Sequence, residues 1–437
     1  MELNRRAFLK SAGVTAVLGA VGAKPASAIE SSGAMSAPLY PKYDFDEVYS
    51  RLGTNSSKWD SPARTYGEGI IGMGIADMDF RAAPCITAAL AERCAHQNWG
   101  YAGRPEGYVD EIVAWNKRRY NLDVDPGSVV LSSGVHPGII AALKTFVAPR
   151  SRVIVNTPTY NGFYGDIRAA SGVADDNPLT LVDGRYSIDF EDFERRARGA
   201  SAFILCNPQN PTGNLWSAAD LMRLGEICLD HNVIVLSDEI HCDFVQAGQT
   251  YVPFASLPNT RIVDNSITFK STSKSFSISS MKSAWYFSSN ADYIQRIRAN
   301  GRSDVGALAM VATHAALSEG EEWLDELLVY LDANHDFAEA YIRENIPSVK
   351  YTKAEGTFLA WLDVTEVIEK IGAAEESASS GRTPESVVQR WLAENARVYL
   401  NPGTSYGTGG AGHMRMNIGT PRVHLEQALE NMARVLA

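Results

Sequence analysis

The chain has 437 residues, of which 45% are hydrophobic, 21% charged and 9% aromatic, with a formal net charge of −11. This composition excludes collagen-like, disulfide-framework and disordered chains, and the length suffices for two packed domains. Within the first 28 residues Arg5, Arg6, Lys10 and Lys24 stand against Glu2, a net +3, so the remainder carries −14. Such an acidic body disfavours nucleic acid or an anionic membrane surface as the main partner, and leaves anion binding to local pockets.

The chain opens Asn4-Arg5-Arg6-Ala7-Phe8-Leu9-Lys10, continues with a Gly- and Ala-rich apolar run over 11–22, and reaches Ala26-Ser27-Ala28, an A-x-A cleavage pattern. This order resembles a twin-arginine export signal over residues 1–28 and predicts a periplasmic or extracellular mature protein. The apolar run is too short to span a bilayer and no later segment is apolar enough, so no membrane attachment is expected after processing. The five cysteines, Cys85, Cys94, Cys206, Cys228 and Cys242, are odd in number and form no CxxC, so neither a disulfide framework nor a metal site is signalled.

Residues 29–39 are Ser- and Ala-rich. Strands are predicted at 129–131, 153–155, 203–205, 233–236, 262–263 and 267–269. Helices are predicted over 136–146 and through Leu221, Leu224, Ile227 and Cys228. Short continuous apolar runs with helices between them predict an α/β fold whose mainly parallel sheet is covered on both faces. After residue 300 long helices at 306–318 and 320–344 precede short strands at 358–362, 397–400 and 414–418, the pattern of a smaller α+β domain. The polar, small-residue stretch 372–381 reads as a surface loop. The expected division is a signal at 1–28, a segment at 29–75 joining the small domain, a large cofactor-binding domain at 76–300 and a small domain at 301–437.

Ligands in open α/β sheets bind outside the carboxyl ends of the strands. Here those ends run into Ser132-Ser133-Gly134-Val135-His136, Asn156-Thr157-Pro158-Thr159-Tyr160, Asn207-Pro208-Gln209-Asn210, Ser237-Asp238-Glu239-Ile240-His241 and Lys270-Ser271-Thr272-Ser273-Lys274. Taken singly, Lys274 is a solvated lysine, Asp238 a helix cap, Asn210 a turn residue and Tyr160 a packing residue. Together they suit a phosphorylated aldehyde cofactor. The helix start at Gly134 offers backbone N–H groups to a phosphate, and Ser271, Ser273 and Lys282 add donors and charge. Lys274 supplies a Schiff-base amine, Asp238 a counter-charge for a pyridinium nitrogen, Asn210 a donor to a ring oxygen and Tyr160 a face for the ring. His241 reads equally as a residue beside the cofactor or a satisfied core histidine.

Asn210-Pro211-Thr212-Gly213, Ser237-Asp238-Glu239 and Ser271-x-Ser273-Lys274 resemble, in order and spacing, the fold-type I pyridoxal-phosphate enzymes of the class I/II aminotransferase superfamily. Gly53-Thr54-Asn55-Ser56-Ser57-Lys58-Trp59-Asp60, Ala76-Asp77-Met78-Asp79-Phe80, Asp238-Glu239-Ile240-His241 and Glu355-Gly356-Thr357-Phe358-Leu359-Ala360-Trp361 are similar to the cystathionine β-lyase (cysteine C–S lyase) branch. The resemblance implies that Lys274 holds pyridoxal 5'-phosphate and moves protons, Asp238 pairs the ring nitrogen, Asn210 contacts the ring hydroxyl oxygen and Tyr160 stacks. It also implies that Gly134, Val135, Ser271 and Lys282 surround the phosphate, that Tyr101 reaches a neighbouring subunit's phosphate in a homodimer, and that Arg415 clamps the α-carboxylate of an amino-acid substrate. The chain departs from the branch at Ser277-Ile278-Ser279-Ser280, at Gln209 in place of a frequent His, and at His136 in place of an aliphatic residue.

The implied reaction is β-elimination on cysteine-type amino acids, giving thiol, pyruvate and ammonia. The alternatives are an aminotransferase using the same residues and a binding protein that keeps the fold without turnover. Gly407-Thr408-Gly409-Gly410-Ala411-Gly412 fits G-x-G-x-x-G, but neither follows a clear strand nor opens a helix, so a nicotinamide or flavin site fails its context test. It reads as a flexible loop beside Arg415.

Overall fold

The apolar runs between residues 130 and 287 line up as one sheet in the computed structural model, which describes residues 42–436 apart from Asp183 and Arg302. The export signal and the 29–39 stretch lie outside the described residues. The strands are β1 (Val130–Ser132), β2 (Arg152–Thr157), β3 (Val173–Pro178), β4 (Ala200–Cys206), β5 (Ile234–Asp238), β6 (Ser266–Lys270) and β7 (Ala284–Phe287). Their spatial order is β1-β7-β6-β5-β4-β2-β3, and only β7 runs antiparallel to its neighbours.

Period-two alternation sends side chains of each strand to two different cores. Val153, Val155, Ile204 and Leu236 pack with helix α1 (Val135–Phe146) and helix α2 (Gly162–Ala169) on one face. Ile154, Phe203, Leu205 and Val235 pack with helix α3 (Ala218–Asp230) on the other. Every residue of β5, β6 and β7 is buried, including the polar Ser237, Asp238, Ser266, Thr268 and Lys270 at their ends and among their apolar residues. Helix α3 starts at a capping box in which Ser217 and Asp220 satisfy each other's backbone N–H groups.

A short helix, α4 (Thr272–Ser275), follows β6 directly. The two long helices predicted past residue 300 are α5 (Ala307–Glu319) and α6 (Glu321–Asn345), each one residue from its expected bounds. Helix α6 serves two cores. Its first half gives Trp323, Leu324 and Leu327 to a cluster with Trp115 and Phe276, and its second gives Ala338 and Ile342 to a cluster with Val388 and Leu429. The second cluster lies against an antiparallel sheet of β8 (Leu359–Asp363), β9 (Asn401–Pro402) and β10 (His413–Asn417), ordered β8-β10-β9. Ile71–Gly72 pairs in parallel with Val398–Tyr399, tying the N-terminal segment to that region.

Two elements differ from expectation. Residues 262–263 are not a strand but part of the helix Thr260–Asp264, capped by Asn259. A two-residue apolar run has no period, and Ile262 is used to close on α3 at Gly225, where an added Cβ would stand 2.2 Å from Ile262 Cγ2. The expected loop at 372–381 is the helix Ala373–Ser380, bounded by Gly372 and Gly381 at φ 65° and 70°. Only Ala373 of that helix is buried, so it lacks the apolar stripe that would have revealed it. Strands β3 and β7 and the hairpin Thr180–Val182 with Arg185–Ser187 were not foreseen. In β3 (VADDNP) acidic residues hide the strand pattern. Asp175 is neutralised by Arg152 and Arg196, and Asp176 accepts from Tyr164 and Thr408.

A buried charge cluster fixes the segment that will border the site. Lys58, its side chain fully buried, donates to Asp79 Oδ2 at 2.6 Å and to the Asp77 carbonyl at 3.0 Å. Arg51 Nη1 and Trp59 Nε1 donate to Asp79 Oδ1 at 2.6 and 2.8 Å. Burial opposes ionisation of Asp79, but Lys58, helped by Trp59 and Arg51, outweighs it and holds the carboxyl below its ordinary range. Asp79→Ala leaves the Lys58 ammonium buried and unpaired, and is expected to cost about 3 kcal/mol in urea unfolding, with Asp79→Asn costing less. Among the described residues no helix is long and apolar enough to cross a membrane, and no cluster of His, Cys, Asp or Glu could hold a metal ion.

Candidate active site

The carboxyl ends of β1, β2, β4, β5 and β6 converge on a cavity of about 270 Å³. Gly134 and Val135 line it from the start of α1, and Tyr160 from the loop after β2. Asn210, Asp238, Lys274 and Lys282 complete the group. Helix α1 has no side-chain cap, and its N-cap Gly134 takes φ 152°. Its first backbone N–H groups are thus without a side-chain acceptor at the helix end suited to an anion.

Lys274 is set by the cap of its own helix. Ser271 Oγ accepts from Ser273 N at 2.9 Å and donates to the Ser283 carbonyl at 2.6 Å. Ser271 is not among the residues lining the cavity, and its hydroxyl holds the lysine-bearing turn. Lys274 Nζ donates to the Ala76 carbonyl at 2.6 Å. Burial, with the nearby Arg415 charge, lowers its amine from the ordinary 10.5 to about 8, against the opposing pull of Asp77 and Asp238.

Asp238 ends β5 and is 5% exposed. Burial pushes its carboxyl up to about 7, although Ile240 N–H at 3.0 Å and the nearby His136 favour the ionised form. Among the described residues no side chain forms an ion pair with it. A buried carboxylate without a cationic partner, facing a cavity, fits a ring N–H⁺. Together with the uncapped helix and Lys282 for a phosphate, and the amine of Lys274 for an aldehyde, the donor set fits pyridoxal 5'-phosphate.

Arg415 on β10 is 3% exposed and does not itself line the cavity, but lies next to Asn210, which does. It donates from Nη1 to Asn210 Oδ1 at 3.0 Å and from Nη2 to the Gly74 carbonyl at 2.7 Å, and its Nε is buried without a partner. Tyr101 is not brought to this cavity. It is fully exposed and borders a separate surface cleft with Trp99 and Arg104. The 407–412 glycine run opens no helix. It is a turn pinned by Thr408 on Asp176, leading into β10.

His241 lines the cavity as well as being buried, its Nδ1 has no partner, and burial holds the ring well below its ordinary pKa. His136 lines the cavity too, joined to Tyr160 and to Asp166, a residue the sequence reading missed. The available signal was a carboxylate on the apolar face of α2, where Phe163, Asp166 and Ile167 are buried together. Ser279 and Cys206 also line the cavity without having been foreseen there.

The family model of aminotransferase class I and II matches residues 68–432. Cystathionine beta-lyase PatB of Bacillus subtilis is 37% identical over 401 residues, spanning 90% of this chain and all of PatB. Protein MalY of Escherichia coli is 28% identical over 403 residues, spanning 90% of this chain and 99% of its own. Among solved structures, cystalysin from Treponema denticola, which contains a pyridoxal 5'-phosphate cofactor, superposes with a TM-score of 0.83 at 26% identity, covering 90% of this chain and 98% of cystalysin. The pyridoxal-phosphate-bound C–S lyase from Staphylococcus hominis gives 0.82 at 28% identity, covering 90% and 98%. With a fold-type I sheet, a cavity at its strand ends and a family match along most of its length, the chain belongs to the class I and II aminotransferase family.

Proposed function

We propose that this chain is a pyridoxal-phosphate-dependent C–S lyase that cleaves cysteine-type amino acids to thiol, pyruvate and ammonia. The observation that carries the reading is the convergence on one cavity of a lysine amine lowered to about 8 and a buried carboxylate with no cation of its own. The likeness to cystathionine β-lyase PatB and to the Staphylococcus hominis C–S lyase supports elimination over amine transfer. Pyridoxal phosphate, when bound, supplies an electron sink for the pair left on the substrate Cα.

The chain's own residues do the rest. Lys274 Nζ is the group that would take the substrate Cα proton. Asp238 would keep negative charge against a protonated ring nitrogen, Asn210 would offer a donor to the ring hydroxyl oxygen, and Tyr160 would offer an aromatic face to the ring. The α1 N-terminus at Gly134 and Val135, with Lys282, would hold the phosphate, while Ser271 contributes by fixing the turn. Arg415 offers a guanidinium to the substrate α-carboxylate. Arg415→Ala is expected to raise KM about 10- to 100-fold with a smaller change in kcat, and Arg415→Lys to fall between, measured by steady-state pyruvate release.

The deciding experiment incubates purified holoenzyme with cystathionine or an S-alkyl cysteine and no 2-oxo acid. Stoichiometric pyruvate and thiol support the lyase. Product that forms only when a 2-oxo acid is added makes the protein an aminotransferase, and a colourless protein that cannot be loaded makes it a binding protein.

The Arg5-Arg6 pair, the apolar run and Ala26-Ser27-Ala28 support export of the folded, cofactor-loaded protein by the twin-arginine route to the periplasm or beyond. Arg5 and Arg6 changed together to Lys should leave the protein in the cytoplasmic fraction. The full exposure of Tyr101 supports a homodimer in which it reaches the partner's phosphate site, a state that light scattering on the holoenzyme would register as twice the chain mass.

A further inference from the structure

Three side chains form a line from the back of helix α2 into the cavity. His136 Nδ1 lies 2.6 Å from Asp166 Oδ2, and His136 Nε2 lies 3.1 Å from the Tyr160 hydroxyl. Asp166 is 5% exposed on the apolar face of its helix, a costly place for a carboxylate that serves only packing. The imidazole, by contrast, is only half-buried and borders the cavity beside Tyr160.

The chemistry of the donors fixes which way the hydrogen bonds run. A carboxylate only accepts, so Nδ1 carries a hydrogen toward Asp166 in both charge states of the ring. Nε2 then decides. In the neutral ring it accepts the Tyr160 O–H, which turns that proton away from the cavity. In the charged ring it donates to the Tyr160 oxygen, and the phenol hydrogen is free to point inward. We propose that His136, anchored by Asp166, is a positioning residue that sets whether the Tyr160 hydroxyl donates a hydrogen bond into the cavity.

Charged and titratable groups reach the ring from several elements: Asp166 from α2, Tyr160 from the loop after β2, Asp238 from the end of β5 and Lys274 from α4. The bond to Asp166 is the largest influence. It outweighs burial, Asp238 adds to it and Lys274 opposes it, so the imidazole titrates above its ordinary value. The phenol itself, pushed up to about 12 by burial, keeps its proton throughout. The inward-donating arrangement is therefore present at low pH and lost as pH rises through the His136 titration. A hydrogen bond from Tyr160 to an anionic atom in the cavity is of the charge-assisted kind.

The inference rests on the cofactor enzyme proposed above, but not on whether it eliminates or transaminates. It is tested on the holoenzyme in two ways. Histidine ring titration by NMR, with the His136 signal identified by its absence in His136→Gln, should move to lower pH in Asp166→Asn. The alkaline limb of kcat should follow that titration in the wild type and shift with it in Asp166→Asn. The limb should vanish in His136→Gln and in Tyr160→Phe, whose kcat on the plateau falls about tenfold. A kcat profile that stays flat across the wild-type His136 titration overturns the proposal, as does a Tyr160→Phe variant that retains the limb. If pyruvate release is absent and amine transfer is found, the same profile is read on transfer, and only the lyase reading fails.

Discussion

Lys274→Ala is expected to lower pyruvate release by at least about 10⁴-fold, because it removes both the amine that holds the cofactor and the base that takes the Cα proton. The geometry leaves little to substitute for it. Lys282 lines the same cavity but is proposed for the phosphate, and His241 is held neutral by burial. The loss must be separated from simple unfolding, and the titration of Lys274 allows that. Its folded value of about 8 lies below the ordinary 10.5, so between those values the unfolded chain binds more protons. Stability of the cofactor-free protein therefore rises with pH across that window, and the cost of the buried charge is fully present below about pH 8. Lys274→Met removes the charge while keeping the bulk, and should be more stable than the wild type in urea at neutral pH, yet inactive and without the visible absorption of lysine-bound cofactor. A variant that keeps more than about one hundredth of the wild-type rate would remove Lys274 from the mechanism.

The sheet and most of the cavity were legible because strands buried on both faces write their burial as continuous apolar runs, and the loaded residues follow those runs directly. Asp238 follows Ile234 to Ser237 without a break, and Lys274 lies four residues past Lys270, the end of β6. What stayed hidden depends on contacts between distant segments. Nothing local links His136 to Asp166 30 residues on, and their pairing exists only because α1 and α2 pack on one face of the sheet. The Ser-rich setting and the family resemblance both point Ser271 to the phosphate, whereas the fold uses its hydroxyl as the cap of α4. The 373–380 helix shows the same limit from the other side. It is framed by two left-handed glycines and buries only Ala373, so periodicity carried no signal. The interior salt bridge of Lys58 with Asp79 is likewise invisible in the sequence, since nothing in Gly53 to Asp60 marks Lys58 as buried.

Asp238→Asn is expected to cut turnover about 10²- to 10³-fold, the scale on which loss of one preorganised electrostatic partner is felt, while making the cofactor-free protein more stable at neutral and alkaline pH. The two effects have one cause. In the cofactor-free chain the carboxyl titrates at about 7 against an ordinary 3.8, so the folded state binds more protons than the unfolded between those values. Stability contributed by this site is then highest in acid and falls as pH rises from about 4 to about 7, where the ionised group lies buried without a cation. Asparagine cannot ionise and should not show that fall. The difference between the wild-type and Asp238→Asn urea curves should open across this range and exceed about 1 kcal/mol by pH 8. Cofactor should narrow the gap, because a ring N–H⁺ gives the carboxylate its missing partner. Parallel curves from about pH 4 to pH 8 would show that the carboxylate is already satisfied without the ring, and the charge-pairing role assigned to Asp238 would fall with them.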